Sequence, residues 1–390
     1  MAQGVTVDSS WFTRDDLIAL WLADFLSAQL QQMRPNFTLP QPWQAQTVLN
    51  RAEADIDSIE LVELASALYL ALDAENSGAL DTLKLGRSFG SWSAFAQQAA
   101  ARTQQYRFAS SGSSGKPKWI AHQCVDLERE VRALAGHFQG VKRVVTLMPA
   151  HHLYGFLFGI VLPAQLGLHC VSLRGEAPAS VRAHLLPGDL VVAFPGFWQH
   201  PPTRHFPNAV IGLSSGQTLA PDCFASLQAA GLQQLFEIYG SSETAGVGLR
   251  CAAGPFRLME RYRAAENGAL WDQYQDCALT PPDWLAFEPT DAQTFHLLGR
   301  RDRVVQVAGN NVALDGVEAT LQRFPGVYAA RVRLRSHGRL DAYLQCSDPP
   351  NLSELRRFCA EHLSAAATPV DFCFGPDLPR TPEGKERDWR

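Results

Sequence analysis

Phe108-Ala109-Ser110-Ser111-Gly112-Ser113-Ser114-Gly115-Lys116-Pro117-Lys118 is the stretch on which the reading of this chain turns. Four serines and two glycines lie between an apolar approach and a Lys-Pro-Lys exit. Glycine lets successive backbone N–H groups turn towards one point, serine hydroxyls add donors there, and Lys116 and Lys118 bring positive charge. Such a nest binds phosphate oxygens. It is not a Walker A loop, because the spacing G-x-x-x-x-G-K-[ST] is not met. On composition alone, a flexible Ser/Gly linker between domains accounts for the same residues equally well.

The texture of the chain changes at this stretch. Upstream, 11–29 has apolar residues at helical spacing with Asp15 and Asp16 in its first turn, where the macrodipole favours acids. A looser Pro/Gln-rich stretch follows over 33–46, then two further helices are expected from near Asp57 and over about 91–101. Downstream, short apolar runs at 144–149, 170–173, 190–195, 209–215 and 235–240 alternate with helical or loop segments such as 124–138 and 221–231. That alternation predicts a mainly parallel α/β sheet with ligands at the carboxyl ends of its strands. From Gln306 a smaller α+β unit follows, ending in a polar tail over 376–390. The expected organisation is a helical region 1–104, a large α/β domain 105–301 and a small mobile α+β domain 302–390.

Composition narrows the function. The 390 residues carry a net charge of −5 with no Lys/Arg block, which argues against nucleic acid as a partner. The longest apolar run, 153–162, stops at Pro163 and is too short to cross a bilayer, so no membrane insertion is expected. The start of the chain lacks a basic region followed by an apolar one and does not read as a secretory signal. Eight cysteines without a CxxC pair read as reduced thiols of a cytoplasmic protein.

Four more motifs follow the nest in order: MPAHHLYGF (148–156), YGSSETAG (239–246), LLGRRDRVVQVAGNNV (297–312) and LPRTPEGK (378–385). Taken with FASSGSSGKPK, they resemble the core motifs of the acyl-adenylate-forming superfamily, which includes acyl- and aryl-CoA synthetases and the adenylation domains of peptide synthetases. The resemblance spans about residues 105–390. It implies a large α/β domain of adenylate-forming type, a mobile C-terminal domain, and the use of ATP with Mg²⁺ as cofactor.

Carried over residue by residue, it makes Ser110, Ser111, Gly112, Ser113, Ser114, Gly115, Lys116 and Lys118 the loop over the β- and γ-phosphates. His152 and Gly155 match the His-x-x-Gly that lines the carboxylate pocket, with Tyr154 and Phe156 as pocket candidates. Ser214, Ser215 and Gly216 resemble the turn whose backbone contacts adenine. Tyr239 and Gly240 flank the adenine face, Ser242 stands where a Thr meets the α-phosphate, and Glu243 matches the Mg²⁺-associated carboxylate. Asp283 suits the acceptor of the ribose hydroxyls, Arg300 its basic companion, and Asp302 the hinge. Lys385 matches the lysine that reaches both the substrate carboxylate and the α-phosphate.

Each assignment competes with a plainer one. Glu243 reads as a cap for a helix after the strand at 235–240, His152 as a satisfied core histidine, Asp283 as a turn residue and Lys385 as a solvated tail charge. Two positions depart from the family pattern: Gln306 replaces a common Lys, and Gly316 an acid. Both bear on thioester formation more than on adenylation. The chain is also short before the phosphate loop, as in the phenylacetate-CoA ligase group.

Asp57-Ser58-Ile59-Glu60-Leu61 resembles the motif of acyl carrier proteins in which the serine bears phosphopantetheine. That resemblance implies an acyl-carrier-like region with Ser58 as the attachment site and a carrier protein as partner. The competing reading is a capping box, Asp57 with Glu60, opening an amphipathic helix. The segment after His152 contains no acid to pair an amino group, which points to an aryl or acyl carboxylic acid substrate, activated as acyl-AMP and passed to CoA or a phosphopantetheine thiol. A non-catalytic nucleotide-binding module and a self-loading didomain are the alternatives.

Overall fold

The computed structural model describes residues 10–34, 37, 42–74, 86–110, 118–200, 202, 204–216, 218–307, 310–335, 338–378 and 389. The chain divides into two compact units, one of Met1–Arg263 with Asp272–Cys277, the other of Ala264–Trp271 with Ala278–Arg390.

The first unit opens with three helices: α1 (Asp15–Met33), α2 (Ser58–Ala71) and α3 (Phe89–Ala100). α1 carries Asp15 and Asp16 in its first turn and buries Leu17, Ile18, Trp21, Leu22, Phe25 and Leu26 at helical spacing. α2 starts with both halves of a capping box. The Asp57 carboxylate accepts from the N–H groups of Ile59 and Glu60, and Glu60 accepts from the N–H of Asp57. A hairpin of β1 (Gln105–Ser110) and β2 (Lys118–Gln123) follows, its last pair being Ser110 with Lys118. The serine–glycine stretch connects these two paired strands, and its residues 111–117 lie outside the described residues.

After α4 (Cys124–Ala135) come β3 (Arg143–Thr146), the short helix α5 (Leu153–Phe156), a π-helical turn (Leu157–Val161), α6 (Leu162–Leu166), β4 (His169–Ser172), α7 (Pro178–Ala183) and β5 (Asp189–Ala193). α8 (Pro195–Gln199), β6 (Ile211–Ser215), α9 (Pro221–Ala229), β7 (Gln234–Ser241), β8 (Ala245–Arg250) and β9 (Phe256–Leu258) complete the unit's main sheet. Its order is β9-β8-β7-β6-β5-β3-β4. β4, β3, β5, β6 and β7 run parallel, while β8 and β9 are antiparallel additions. β5 is buried along its whole length, as its unbroken apolar run requires of a central parallel strand.

The helices α1–α3 and the sheet share one hydrophobic core. Trp11 donates through Nε1 to the Tyr106 hydroxyl at 3.0 Å and packs its ring on Phe156 at 5.2 Å, so the N-terminal segment is keyed to the hairpin and to α5.

Three short strands, β10 (Tyr262–Ala264), β11 (Leu270–Asp272) and β12 (Cys277–Leu279), lie where the chain alternates between the units. The second unit contains the antiparallel hairpin β13 (Asp283–Glu288) and β14 (Asp291–Arg300), then β15 (Val304–Val307), β16 (Asn310–Ala313), α10 (Leu314–Leu321), β17 (Ala329–Leu334), β18 (Leu340–Gln345), α11 (Leu352–His362) and β19 (Asp371–Gly375). β15 pairs with β16, and β17, β18 and β19 form a three-stranded sheet over the core of α10 and α11.

Two expectations need correction. The sequence assigns no strand between 245 and 300, yet the stretch holds seven, from β8 to β14. Glycines in β8 and the short length of β9–β12 dilute the period-2 signal there. No helix follows β7 either. A turn leads directly into β8, so Glu243 caps nothing.

Candidate active site

At the carboxyl ends of β6 and β7 the first unit encloses a cavity of about 250 Å³. Phe108 and Ala109 line it from β1, Glu130 from α4, and His152, Leu153, Tyr154, Leu157 and Phe158 from the helical segment after β3. Ser215, Gly216, Ile238, Gly240, Ser241, Ser242, Ala245 and Gly246 close the remaining wall. Residues expected on the nucleotide side (Ser215, Gly216, Gly240, Ser242) and on the acid side (His152, Tyr154) thus meet on one surface, at the end of a parallel sheet where such folds bind ligands.

The helical segment owes its position to a close approach. A Cβ on Gly155 would lie 2.0 Å from the Pro149 carbonyl oxygen, so only glycine lets α5 start there. Leu153 and Leu157, and Tyr154 and Phe158, are four residues apart and fall on one face. Phe156 falls on the opposite face. It is 1% exposed and packs against Trp11, Tyr106 and Phe108, so it belongs to the core rather than the cavity wall. Phe158 occupies the wall instead, and the i, i+4 spacing from Tyr154 is the signal that would have found it. Tyr154 has its hydroxyl buried without a hydrogen-bond partner, and burial raises its pKa.

His152 keeps part of its surface in solvent while its ring packs in the cavity wall, 4.2 Å from that of His151. Desolvation, then the His151 charge, pushes its pKa down to about 4, which makes it a neutral imidazole at pH 7. His151 in turn is held by Asp24 of α1, through its backbone N–H at 3.1 Å and Nδ1 at 2.6 Å, and Asp24 also accepts from Arg174. Nothing in the sequence spacing connects residue 24 to residue 151.

The turn between β7 and β8 is pinned by side chains. Ser241 Oγ accepts from the N–H groups of Glu243 and Thr244 at 3.2 Å each, and the Tyr262 hydroxyl donates to the Thr244 carbonyl at 2.5 Å. His122 of β2 is buried, its ring Nε2 lies 2.6 Å from the Ser242 carbonyl, and desolvation lowers its pKa. As the neutral ring it donates there, tying the β1–β2 hairpin to this turn. Ala245 sits at φ +58°, a left-handed conformation that strains a residue with a Cβ. The result holds Glu243 at the tip of the turn with its side chain exposed.

The other candidates are placed as follows. Tyr239 is 8% exposed and rests on Phe256 at 6.0 Å, behind the cavity surface. Ser110 and Lys118 form the last pair of the hairpin, and Ser111, Gly112, Ser113, Ser114, Gly115 and Lys116 lie outside the described residues, as does Lys385. In the second unit Asp283 and Arg300 are direct partners across β13 and β14, and Asp302 lies in the 3-10 turn after β14. Ser58 is the exposed first residue of α2. Sequence reasoning did not find Glu130, whose 4% exposure puts a carboxyl in the cavity wall.

A mainly parallel α/β sheet with a cavity at its strand ends, lined by both apolar and polar side chains, is an architecture that binds small ligands. No protein-family model matches the chain. A 4-coumarate–CoA ligase of Rhodobacter capsulatus is 35% identical over 349 residues, 85% of this chain and 89% of the relative. Another of Halorhodospira halophila is 33% identical over 343 residues, 84% of this chain and 87% of the relative. ATP-bound MatB from Rhodopseudomonas palustris superimposes with a TM-score of 0.63 at 16% identity, over 97% of both chains. The chain belongs to the acyl-adenylate-forming superfamily. Its activity is that of an AMP-forming acid–thiol ligase, in which ATP activates a carboxylic acid as the acyl-adenylate and the acyl group then passes to a thiol.

Proposed function

We propose that this chain activates 4-coumarate or a close hydroxyaryl acid and transfers the acyl group to coenzyme A. The observation that carries the reading is the cavity itself: at about 250 Å³ it lies at the small end of ligand clefts, room for one ring rather than a long acyl chain. Leu153, Leu157, Phe158 and Ile238 make its apolar wall. The relatives at 33–35% identity carry the name 4-coumarate–CoA ligase.

In the first half-reaction a carboxylate oxygen attacks the α-phosphorus, the bond to the bridging oxygen breaks, and pyrophosphate leaves. Two anions must approach, so the chain has to hold positive charge at the reacting oxygens before they meet. The serine–glycine nest with Lys116 and Lys118 holds the departing phosphates, and Lys385 neutralises the carboxylate and the α-phosphate. The compact ammonium of a lysine on a flexible stem suits a residue that arrives only with its segment. Neutral His152 flanks the acid side without adding a charge. In the second half-reaction the thiol sulfur attacks the acyl carbon, the carbon–oxygen bond to phosphate breaks, and AMP leaves.

Among the described residues no three His, Cys, Asp or Glu side chains converge on a metal site. A single exposed carboxylate fits Mg²⁺, which is held by one or two carboxylates together with substrate phosphates. Glu243 is that carboxylate, and the ion would supply further charge neutralisation to the phosphates. Among the described residues no helix is long and apolar enough to cross a membrane. The eight free cysteines suit the reducing cytoplasm, where ATP and coenzyme A are available.

A second acceptor reading has its own observation. Ser58, Ile59 and Val62 form an exposed edge of α2, with Ile59 73% and Val62 64% exposed, as a phosphopantetheine site with a docking face would need. Intact mass after treatment with a phosphopantetheinyl transferase separates the two: coenzyme A as sole acceptor leaves the mass unchanged. The substrate reading is tested by pyrophosphate exchange across aryl, fatty and amino acids, followed by thioester formation with coenzyme A. Aryl acids should respond best; a best response from amino acids sinks it.

A further inference from the structure

Glu130 is the one carboxyl among the described residues that line the cavity, whose other polar side chains are His152, Tyr154, Ser215, Ser241 and Ser242. Its side chain is 4% exposed, and Oε1 accepts from the Gly246 N–H at 3.0 Å. A Cβ on Gly246 would lie 2.5 Å from that oxygen, so the glycine is what admits the carboxyl against β8. Oε2 is buried with no hydrogen-bond partner. The cation whose charge acts on it, Arg261, is committed through Nε and Nη2 to Asp272 at 3.0 and 2.6 Å, and its Nη1 is likewise unpartnered. Burial raises the Glu130 pKa to about 8, against the weaker pull of Arg261. At pH 7 it is mainly the neutral acid, with an O–H to donate and nothing in the chain to receive it.

Buried polar atoms without partners are rare and costly, and one that lines a ligand cavity gains a partner when the ligand enters. We propose that Glu130 is the specificity-determining residue for the polar end of the substrate, pairing through Oε2 with a hydroxyl on the aryl ring. A hydroxyl fits better than an ammonium. The guanidinium of Arg261 already opposes a second cation there, and Leu157 and Phe158 offer no further hydrogen bonds to offset desolvation of a buried ion pair. The inference rests on the reading that this cavity takes the carboxylic acid.

The test compares kcat/KM in pyrophosphate exchange for 4-coumarate with that for cinnamate, which lacks the ring hydroxyl, in wild type, Glu130→Gln and Glu130→Leu. A site built around a hydroxyl discriminates strongly against its absence, so the wild-type ratio should be about 10 to 100 or more. Leucine should bring the ratio close to one. Glutamine keeps an acceptor for the Gly246 N–H and an N–H for the hydroxyl, so it should retain part of the ratio and keeps the test valid if the leucine variant does not fold. A wild-type ratio near one, with both acids active, overturns the role of Glu130 and leaves the ligase reading intact. A ratio unchanged in both variants also overturns it, assigning the carboxyl to a water shared with Arg261. Best activity with tyrosine, lost in Glu130→Gln, overturns it in favour of a cation partner. Failure of wild type to exchange with any carboxylic acid removes the substrate reading, and this inference with it.

Discussion

Asp24 Oδ2 accepts two hydrogen bonds from His151, one from its backbone N–H and one from its ring Nδ1. A carboxylate on the first helix thereby fixes the backbone and the side-chain orientation of the residue preceding His152. Burial alone would raise the Asp24 pKa, but the His151 hydrogen bond and the charges of His151 and Arg174 hold it below the usual carboxylate value.

Asp24→Ala should therefore loosen the acid side of the cavity. Leaving His151 and Arg174 without their acceptor costs about 1–3 kcal/mol, read as a lower midpoint in urea unfolding. KM for the acid should rise more than KM for ATP. Unchanged acid binding in a variant of lowered stability would show that the network is purely structural.

Gly155→Ala places a methyl carbon 2.0 Å from a backbone oxygen that has no freedom to retreat. The variant should lose about 3 kcal/mol or more, or rebuild the start of α5, with loss of acid activation in either case. A thermal midpoint and exchange rate equal to wild type would rule out the tight approach.

Stability should fall as pH rises through the titration of Glu130. Its folded pKa, about 8, lies above the ordinary 4.5, so the folded state binds more protons between those values. The contribution is fully present below pH 4.5 and is lost as pH rises through 8, by about 1.4 kcal/mol per pH unit at most. Glu130→Gln should flatten that dependence in denaturant melts at pH 5, 6.5 and 8. Parallel curves for the two proteins would mean the carboxyl is ionised in the folded state throughout.

On the role proposed for Lys385, Lys385→Ala should reduce pyrophosphate exchange by about 10²–10³-fold or more through loss of charge stabilisation at the reacting oxygens. Exchange within a factor of a few of wild type would move the role to another cation.

The strand-end serines and the Glu243 turn were legible as motifs because each is a short run of neighbouring residues whose Gly and Ser spacing is read directly along the chain. The strands between 245 and 300 were not, since several are only three residues long and take their pairing from neighbours rather than from alternation. Phe156 and Phe158 differ only in helical phase, which the i, i+4 pattern contains and which composition cannot supply.

By itself, then, the sequence determined the family, the order of the chemical motifs and the alternating architecture, since each depends on residues close along the chain. Only the tertiary structure decided that Glu130 lines the cavity and that Asp24 supports His151. Those pairs are 116 and 127 residues apart, Glu130 with Gly246 and Asp24 with His151. What joins them is packing of distant elements around one core, and the unpaired carboxyl oxygen becomes visible only once every neighbour that might have satisfied it is in place.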